Sequence, residues 1–285
     1  MSTYRLPLAI PVFAVALLTC AGLAHAEEVI KTYTVSGHAR VRIQTDDGAV
    51  RVSTGDIKQI EIRIDYEGYK LDRDLHITSS QNGDSVDLSA KTSGTWGFRW
   101  GGHTKLRVEV HMPKDADLQI QTSDGSVQAD SINGNLDIQT ADGSISVQGA
   151  KGQIRLRTAD GSIEGRNLDG SADMSTNDGH INADGRFDSL NVKTTDGSVN
   201  VRANAGSKVN SAWTINTVDG SIDLLVPADI HADVTASTHD GHISMGMPLT
   251  VEGSFSSSQI HGKMNGGGQS INLRTVDGSI HLSKT

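Results

Sequence analysis

The sequence predicts an all-β chain: a β-solenoid, parallel β-helix-like, with coils of about 18 residues and an irregular N-terminal β cap. Three observations carry this. A Thr-x-Asp-Gly-Ser-Ile/Val unit recurs through the middle of the chain at every eighteenth position. Apolar residues alternate on either side of it with period two and change phase at Asp-Gly. Only 4% of the residues are aromatic while 31 are glycine, which suits thin stacked layers better than one large globular core.

Residues 1–26 read as a signal peptide, set aside from the fold. Arg5 gives a basic start, 6–23 is almost wholly apolar, and Ala24-His25-Ala26 supplies the small residues of a cleavage site. The mature chain then begins at Glu27. Pro7 and Pro11 interrupt the apolar run, so no transmembrane span is expected after cleavage, and the expected location is the periplasm or cell surface. Leu17-Leu18-Thr19-Cys20 has the outline of a lipobox, but Thr19 stands where Gly, Ala or Ser is usual, which makes a lipoprotein anchored through Cys20 the lesser reading. Cys20 is the only cysteine, so the mature protein would hold no disulfide and no thiolate metal ligand.

Without Arg5 the 25 basic residues become 24 against 34 acidic ones, taking the formal charge from −9 to −10. Such a surface repels nucleic acid and anionic lipid, and no nucleic-acid partner is expected.

Residues 27–113 are expected to form the N-terminal β cap region with a first coil-like unit, continuous with a solenoid over 114–285. Val41, Ile43, Thr45, Asp47-Gly48, Val50 and Val52 repeat the inward pattern of the later coils. Ile60, Ile62, Ile64 and Tyr66 alternate cleanly, as do Leu106, Val108 and Val110, and these read as longer strands.

The repeat proper places its turns at Asp124-Gly125, Asp142-Gly143, Asp160-Gly161, Asp178-Gly179 and Asp196-Gly197, in strict period. Asp219-Gly220, Asp240-Gly241 and Asp277-Gly278 follow at wider spacing, with the longest insertion before the last copy. Before each Thr stand inward pairs such as Leu118 and Ile120, Leu136 and Ile138, or Ile154 and Leu156; after the glycine the inward row becomes Val127 and Ala129, or Ile145 and Val147. The change of parity marks a corner. Glycine suits it through access to positive φ, and Asp through bonds to its own turn. Asn133-Gly134, Lys151-Gly152 and Asp169-Gly170 read as the second corner. An antiparallel meander shares these turn signals, but like residues would then fall on every second strand rather than directly above one another. The insertion 245–272, with Gly262, Gly266, Gly267 and Gly268, reads as a mobile loop, and no helical cap follows the final copy.

With these motifs laid out, the chain resembles the DUF4097 family of β-strand repeat proteins, which carries the label "putative adhesin". The residues that carry the resemblance are the lead-in from Val110-His111-Met112-Pro113 to Asp117-Leu118 and the Thr-x-Asp-Gly-Ser-Ile train after it. The resemblance implies an exported or surface β-solenoid and transfers no catalytic residue.

The motif residues invite three site readings. The Asp column could hold Ca²⁺, but each coil offers one carboxylate at the corner, against the six to eight oxygens the ion takes; the expected role is turn capping. One Thr per coil, inward in parity, makes a buried hydroxyl row rather than an exposed array. His239 and His242, with His261 and His281, show no spacing that fixes a zinc tetrahedron. No metal and no cofactor are expected.

Trp96, Phe98 and Trp100 form the candidate ligand-binding cluster, since alternation on a strand would put three rings on one face. Such a platform can stack on an envelope glycan or meet a protein; the structural reading is a cap over the open end of the solenoid. Trp213, in the inward row, reads as core. The chain lacks G-x-S-x-G, P-loop and H-E-x-x-H motifs. The expected function is therefore a non-enzymatic cell-envelope solenoid, adhesin or scaffold, with a polysaccharide lyase or hydrolase of the β-helix class as the alternative.

Overall fold

The computed structural model describes residues 27–93, 104–251 and 256–285, and every regular element among them is a β-strand. In the central coils one strand runs into the Thr-x-Asp-Gly corner and a second leaves it, as Ala116–Gln121 and Val127–Asp130 do. Equivalent strands of successive coils pair parallel and in register, Leu118 beside Leu136 beside Ile154 on one sheet, and Val127 beside Ile145 beside Ile163 on the other. The phase change is real: Leu118, Ile120 and Thr122 are buried before the corner, and Val127 and Ala129 after it. A single coil cannot cover its own apolar row, so the core exists only as these rows laid on one another.

The second corner begins earlier than Asn133-Gly134, Lys151-Gly152 and Asp169-Gly170. The chain first turns at left-handed Ser131, Gly149 and Asn167 (φ 58°, 71° and 51°). It then tucks in Ile132, Ala150 or Leu168, and passes through Gly134, Gly152 or Gly170 at φ 151°, 124° and 133°. In the middle of the stack the strands Ile163–Ser175 and Ile181–Lys193 run through this corner, with register shifts on either side of it.

At the N-terminal end, coil 39–55 lies directly on coil 116–130, Val41 beside Leu118 and Val50 beside Val127. Its other side is covered by the strands Ser85–Thr92 and Lys105–Pro113, Val86 beside Val41 and Val108 beside Val50, which make the outermost coil. Antiparallel strands finish this end: Leu75–Asn82 on Ser85–Thr92, Gln59–Glu67 on Lys105–Pro113, and Glu27–Thr34 on Gln59–Glu67. The Tyr66 hydroxyl donates to the Glu27 carboxylate at 2.6 Å, and burial together with that carboxylate pushes the phenol up to about 12.

The C-terminal end departs from chain order. The strands Ser270–Arg274 and Ile280–Lys284 pair on one side with Trp213–Asn216 and Ile222–Val226, and on the other with Ala232–Ser237 and Ile243–Gly246. The last coil in sequence is thus the last but one in space. The expected mobile loop at 245–272 contains paired strands among its described residues: Gln259–Met264 pairs antiparallel with Ala232–Ser237, and Thr250–Val251 pairs with it in turn. Ile260 and Met264 are buried, because this hairpin covers the apolar row that the outermost coil would otherwise expose. Ten coils stack among the described residues, which at roughly 4.8 Å per layer makes about 45 Å. Trp213 is fully buried, edge-on to Phe187 with ring centroids 6.4 Å apart, in the core as its parity requires.

Candidate functional site: the repeated corner

Each corner is built by three residues with different tasks. The Thr158 hydroxyl lies 3.0 Å from the carbonyl oxygens of both Ala141 and Gly143 in the preceding coil, and accepts from the Gly161 N–H at 3.2 Å. Thr140 repeats this on Ser123, Gly125 and Gly143, and Thr176, Thr194, Thr217, Thr238 and Thr275 bond to the same pair of carbonyls one coil away. The backbone N–H groups of Ala159 and Asp160 also converge on the Ala141 carbonyl, at 2.9 and 3.0 Å. Turn capping therefore belongs to Thr, not to Asp. The reason is reach: the inward hydroxyl sits under the Gly N–H, whereas the carboxylate points to solvent.

The corner has two forms along the stack. In the earlier coils Gly143 and Gly161 give their N–H to the Thr of their own turn. From Gly179 onward the N–H reaches across to the next coil, Gly179 to the Asp196 carbonyl at 3.0 Å, Gly197 to Asp219, Gly220 to Asp277 and Gly278 to Asp240 at 2.9 to 3.0 Å. Glycine is required at every one of these corners for close approach, and at three of them for positive φ as well. Gly197, Gly220 and Gly278 do sit at positive φ, 156° to 157°, which a side chain would strain, whereas Gly125, Gly143, Gly161, Gly179 and Gly241 do not. A Cβ on Gly125, Gly143, Gly161, Gly179, Gly197, Gly220, Gly241 or Gly278 would collide with the glycine carbonyl of the adjoining coil.

The carboxylates form an exposed column whose spatial order is Asp47, Asp124, Asp142, Asp160, Asp178, Asp196, Asp219, Asp277, Asp240. At its N-terminal end Asp47 is held above the usual carboxylate range, first by burial, then by a hydrogen bond to Asp124 and the charges of Asp124 and Asp46. Among the described residues no three His, Cys, Asp or Glu side chains are placed to hold a metal ion. His242 bonds Ser279 and His261 bonds Thr235, each at 3.1 Å and on separate strands.

Two shallow grooves on the sheet faces were not anticipated. One, of about 420 Å³, is flanked by Arg40, Arg42, Asp87, Asp117 and Asp137; the other, of about 320 Å³, by Glu164, Arg166, Asn182, Asp184 and Arg202. Their signal in the sequence is the outward half of the alternation, rich in Asn, Gln, Arg and Asp, which in-register stacking gathers into rows. Amide pairs such as Asn200 to Asn182 at 3.0 Å and Gln44 to Gln121 at 3.1 Å run along these rows. Trp96, Phe98 and Trp100 lie outside the described residues, as do Cys20 and the signal segment.

This geometry, ten coils of which nine carry one motif, can be set beside known proteins. The family model described as Toastrack DUF4097 matches residues 38–283. The chain belongs to the Toastrack DUF4097 family. Among solved structures, this Toastrack chain is similar to a protein of Bacteroides fragilis described as a putative adhesin, at 11% identity and TM-score 0.44, over 92% of this chain and 99% of that one. A putative adhesin of Parabacteroides merdae matches at 13% identity and TM-score 0.42, over 90% and 96%. A putative cell adhesion protein of Clostridium sporogenes matches at 12% identity and TM-score 0.35, over 92% and 100%. No curated protein matches the chain. Among the described residues no helix is long and apolar enough to cross a membrane.

Proposed function

We propose that this Toastrack chain is an exported, non-enzymatic β-solenoid of the cell envelope, acting as an adhesive or structural scaffold in the periplasm or at the cell surface. One observation carries the reading: the chemistry repeated from coil to coil is turned inward on the stack. The Thr hydroxyls from Thr122 to Thr275 bond the adjoining coil, and the corner glycines let two backbones meet. A repeat spent on stacking extends a surface; it does not build a reaction centre, which needs different groups converging at one place. The exposed faces are flat rows of amides and paired charges, suited to contact with an extended partner such as a glycan strand or another protein. The signal-like segment 1–26 supports export. Trp96, Phe98 and Trp100 are the proposed ligand contact, because aromatic faces stack on sugar rings and the three alternate in sequence within a glycine-rich stretch.

Binding of the purified mature chain to a panel of envelope glycans, with and without Trp96→Ala plus Trp100→Ala, tests the contact. Binding that the double substitution abolishes is expected; binding it leaves untouched removes the aromatic platform. Release of reducing ends or unsaturated sugars from any polysaccharide in the panel would overturn the non-enzymatic reading.

A further inference from the structure

The C-terminal coil is placed as a separable insert. Residues 270–284 enter the stack after coil 232–246 in sequence, yet lie between it and coil 213–226, hydrogen-bonded on both edges of both sheets. The slot is specific in shape. Ile271 and Leu273 lie against Trp213 and Ile215 on one side, and against the smaller Val234 and Ala236 on the other. All six are exposed by no more than 1%.

The chain reaches this slot through a hinge. Asn265, Gly266 and Gly267 are consecutive left-handed residues, with φ 49°, 89° and 85°, closed by the Gly267 N–H to Met264 carbonyl bond at 3.0 Å. Asn265 holds the hinge shut, its amide donating to the carbonyls of Ala228 and Ile230 at 2.9 and 2.8 Å. Those two acceptors lie in the 227–231 link between coils 213–226 and 232–246, the same link that must stay long enough to leave the slot open. One side chain therefore ties the arm that carries the insert to the connection that frames its place.

We infer that residues 270–284 are an exchangeable donor coil, and that the partner it fits is a second copy of this chain. Opening the three-residue hinge moves the arm outward without altering the coil it carries. The slot of a second copy presents the same Trp213, Ile215, Val234 and Ala236 rows, so every contact of the insert is regained and only the hinge differs between the closed monomer and the exchanged dimer. The balance between the two forms is then set by hinge geometry and by protein concentration.

Gly266 is the place to test it. A Cβ there would meet nothing within 4 Å, so Gly266→Pro acts through the backbone: it forbids φ 89° and the left-handed conformation of the preceding Asn265. Two full-length chains carrying Cys20→Ser and Gly266→Pro are prepared, one with Ser221→Cys and the other with Ser279→Cys. These positions adjoin across the slot, the Ser279 N–H lying 3.4 Å from the Ser221 hydroxyl. Refolded together and oxidised, they are expected to give a dimer by light scattering, at least fivefold richer in the 221–279 interchain disulfide than the same pair with the native hinge. A folded monomer without that disulfide overturns the inference. If Gly266→Pro fails to fold, Asn265→Ala in the same cysteine pair decides: an interchain yield above that of the parent supports exchange, and an unchanged yield overturns it.

Discussion

The carbonyl oxygen of Gly125 lies beneath the α-carbon of Gly143, so close that the hydrogen on that carbon has no room to become a methyl group. The obstructing atom is backbone, fixed by parallel pairing on both sides of the corner, and cannot swing aside as a side chain would. Gly143→Ala is expected to cost about 3 kcal/mol or more, since relief requires coils to move apart. Urea unfolding of Gly143→Ala beside Ser144→Ala, an exposed neighbour expected to stay within about 0.5 kcal/mol of the parent, reads the difference. Equal midpoints would show that the glycine column is not what sets the coil spacing.

Thr158→Val keeps the shape of the side chain and removes its oxygen. The Gly161 N–H loses its acceptor, and the carbonyls of Ala141 and Gly143 lose a donor. The expected destabilisation is roughly 2 kcal/mol, the cost of buried polar groups left unpaired rather than of lost packing. Thr158→Ser restores the hydroxyl and is expected to recover more than half of it, in the same unfolding experiment.

Asp47 sets a pH dependence. Burial, then the Asp124 contact, raise its pKa in the folded state, so the folded protein holds this proton more tightly than the unfolded chain does. The stability this contributes is full below the unfolded value of about 3.9 and is lost as pH rises through the higher folded value. Asp47→Asn is therefore expected to melt about 1 °C or more above the parent at pH 7, with the curves converging near pH 3. A gain that persists unchanged at pH 3 would assign the effect to something other than ionisation.

Much of this architecture can be read from residues alone because a solenoid writes its layer once per coil. The inward rows at Leu118 and Ile120, the parity change at Asp124-Gly125 and the outlying copy at Asp47-Gly48 all follow from spacing. What spacing does not carry is which copy lies on which. The units around Asp219, Asp240 and Asp277 share one motif, so nothing local distinguishes the order 219–277–240 from the order of the chain. The hairpin at 250–264 was hidden for a different reason: glycines that permit a hinge have the same composition as glycines that permit a loop. At the corner the residue types were legible but their tasks were exchanged, since Asp is the familiar capping residue and the inward reach of Thr is visible only once a second coil lies below it. The outward rows that shape the two grooves were in the sequence as polar alternation, without the stacking that turns rows into surfaces.

The two ends of the stack share a construction. Coil 39–55 and coil 270–284, first and last in sequence, each have a neighbour on both sides, while coils 85–113 and 232–246 lie outside them. The C-terminal strand Ile280–Lys284 therefore cannot peel away alone, whereas Glu27–Thr34 at the other end is bonded along one edge only, to Gln59–Glu67. A force applied at Thr285, or a protease seeking a frayed tail, meets strands bonded along both edges, and must shear two interfaces together before the first residue comes free. Under tension or digestion this gives resistance at the C-terminal extremity, and makes the one-sided strand Glu27–Thr34 the place where unravelling would begin.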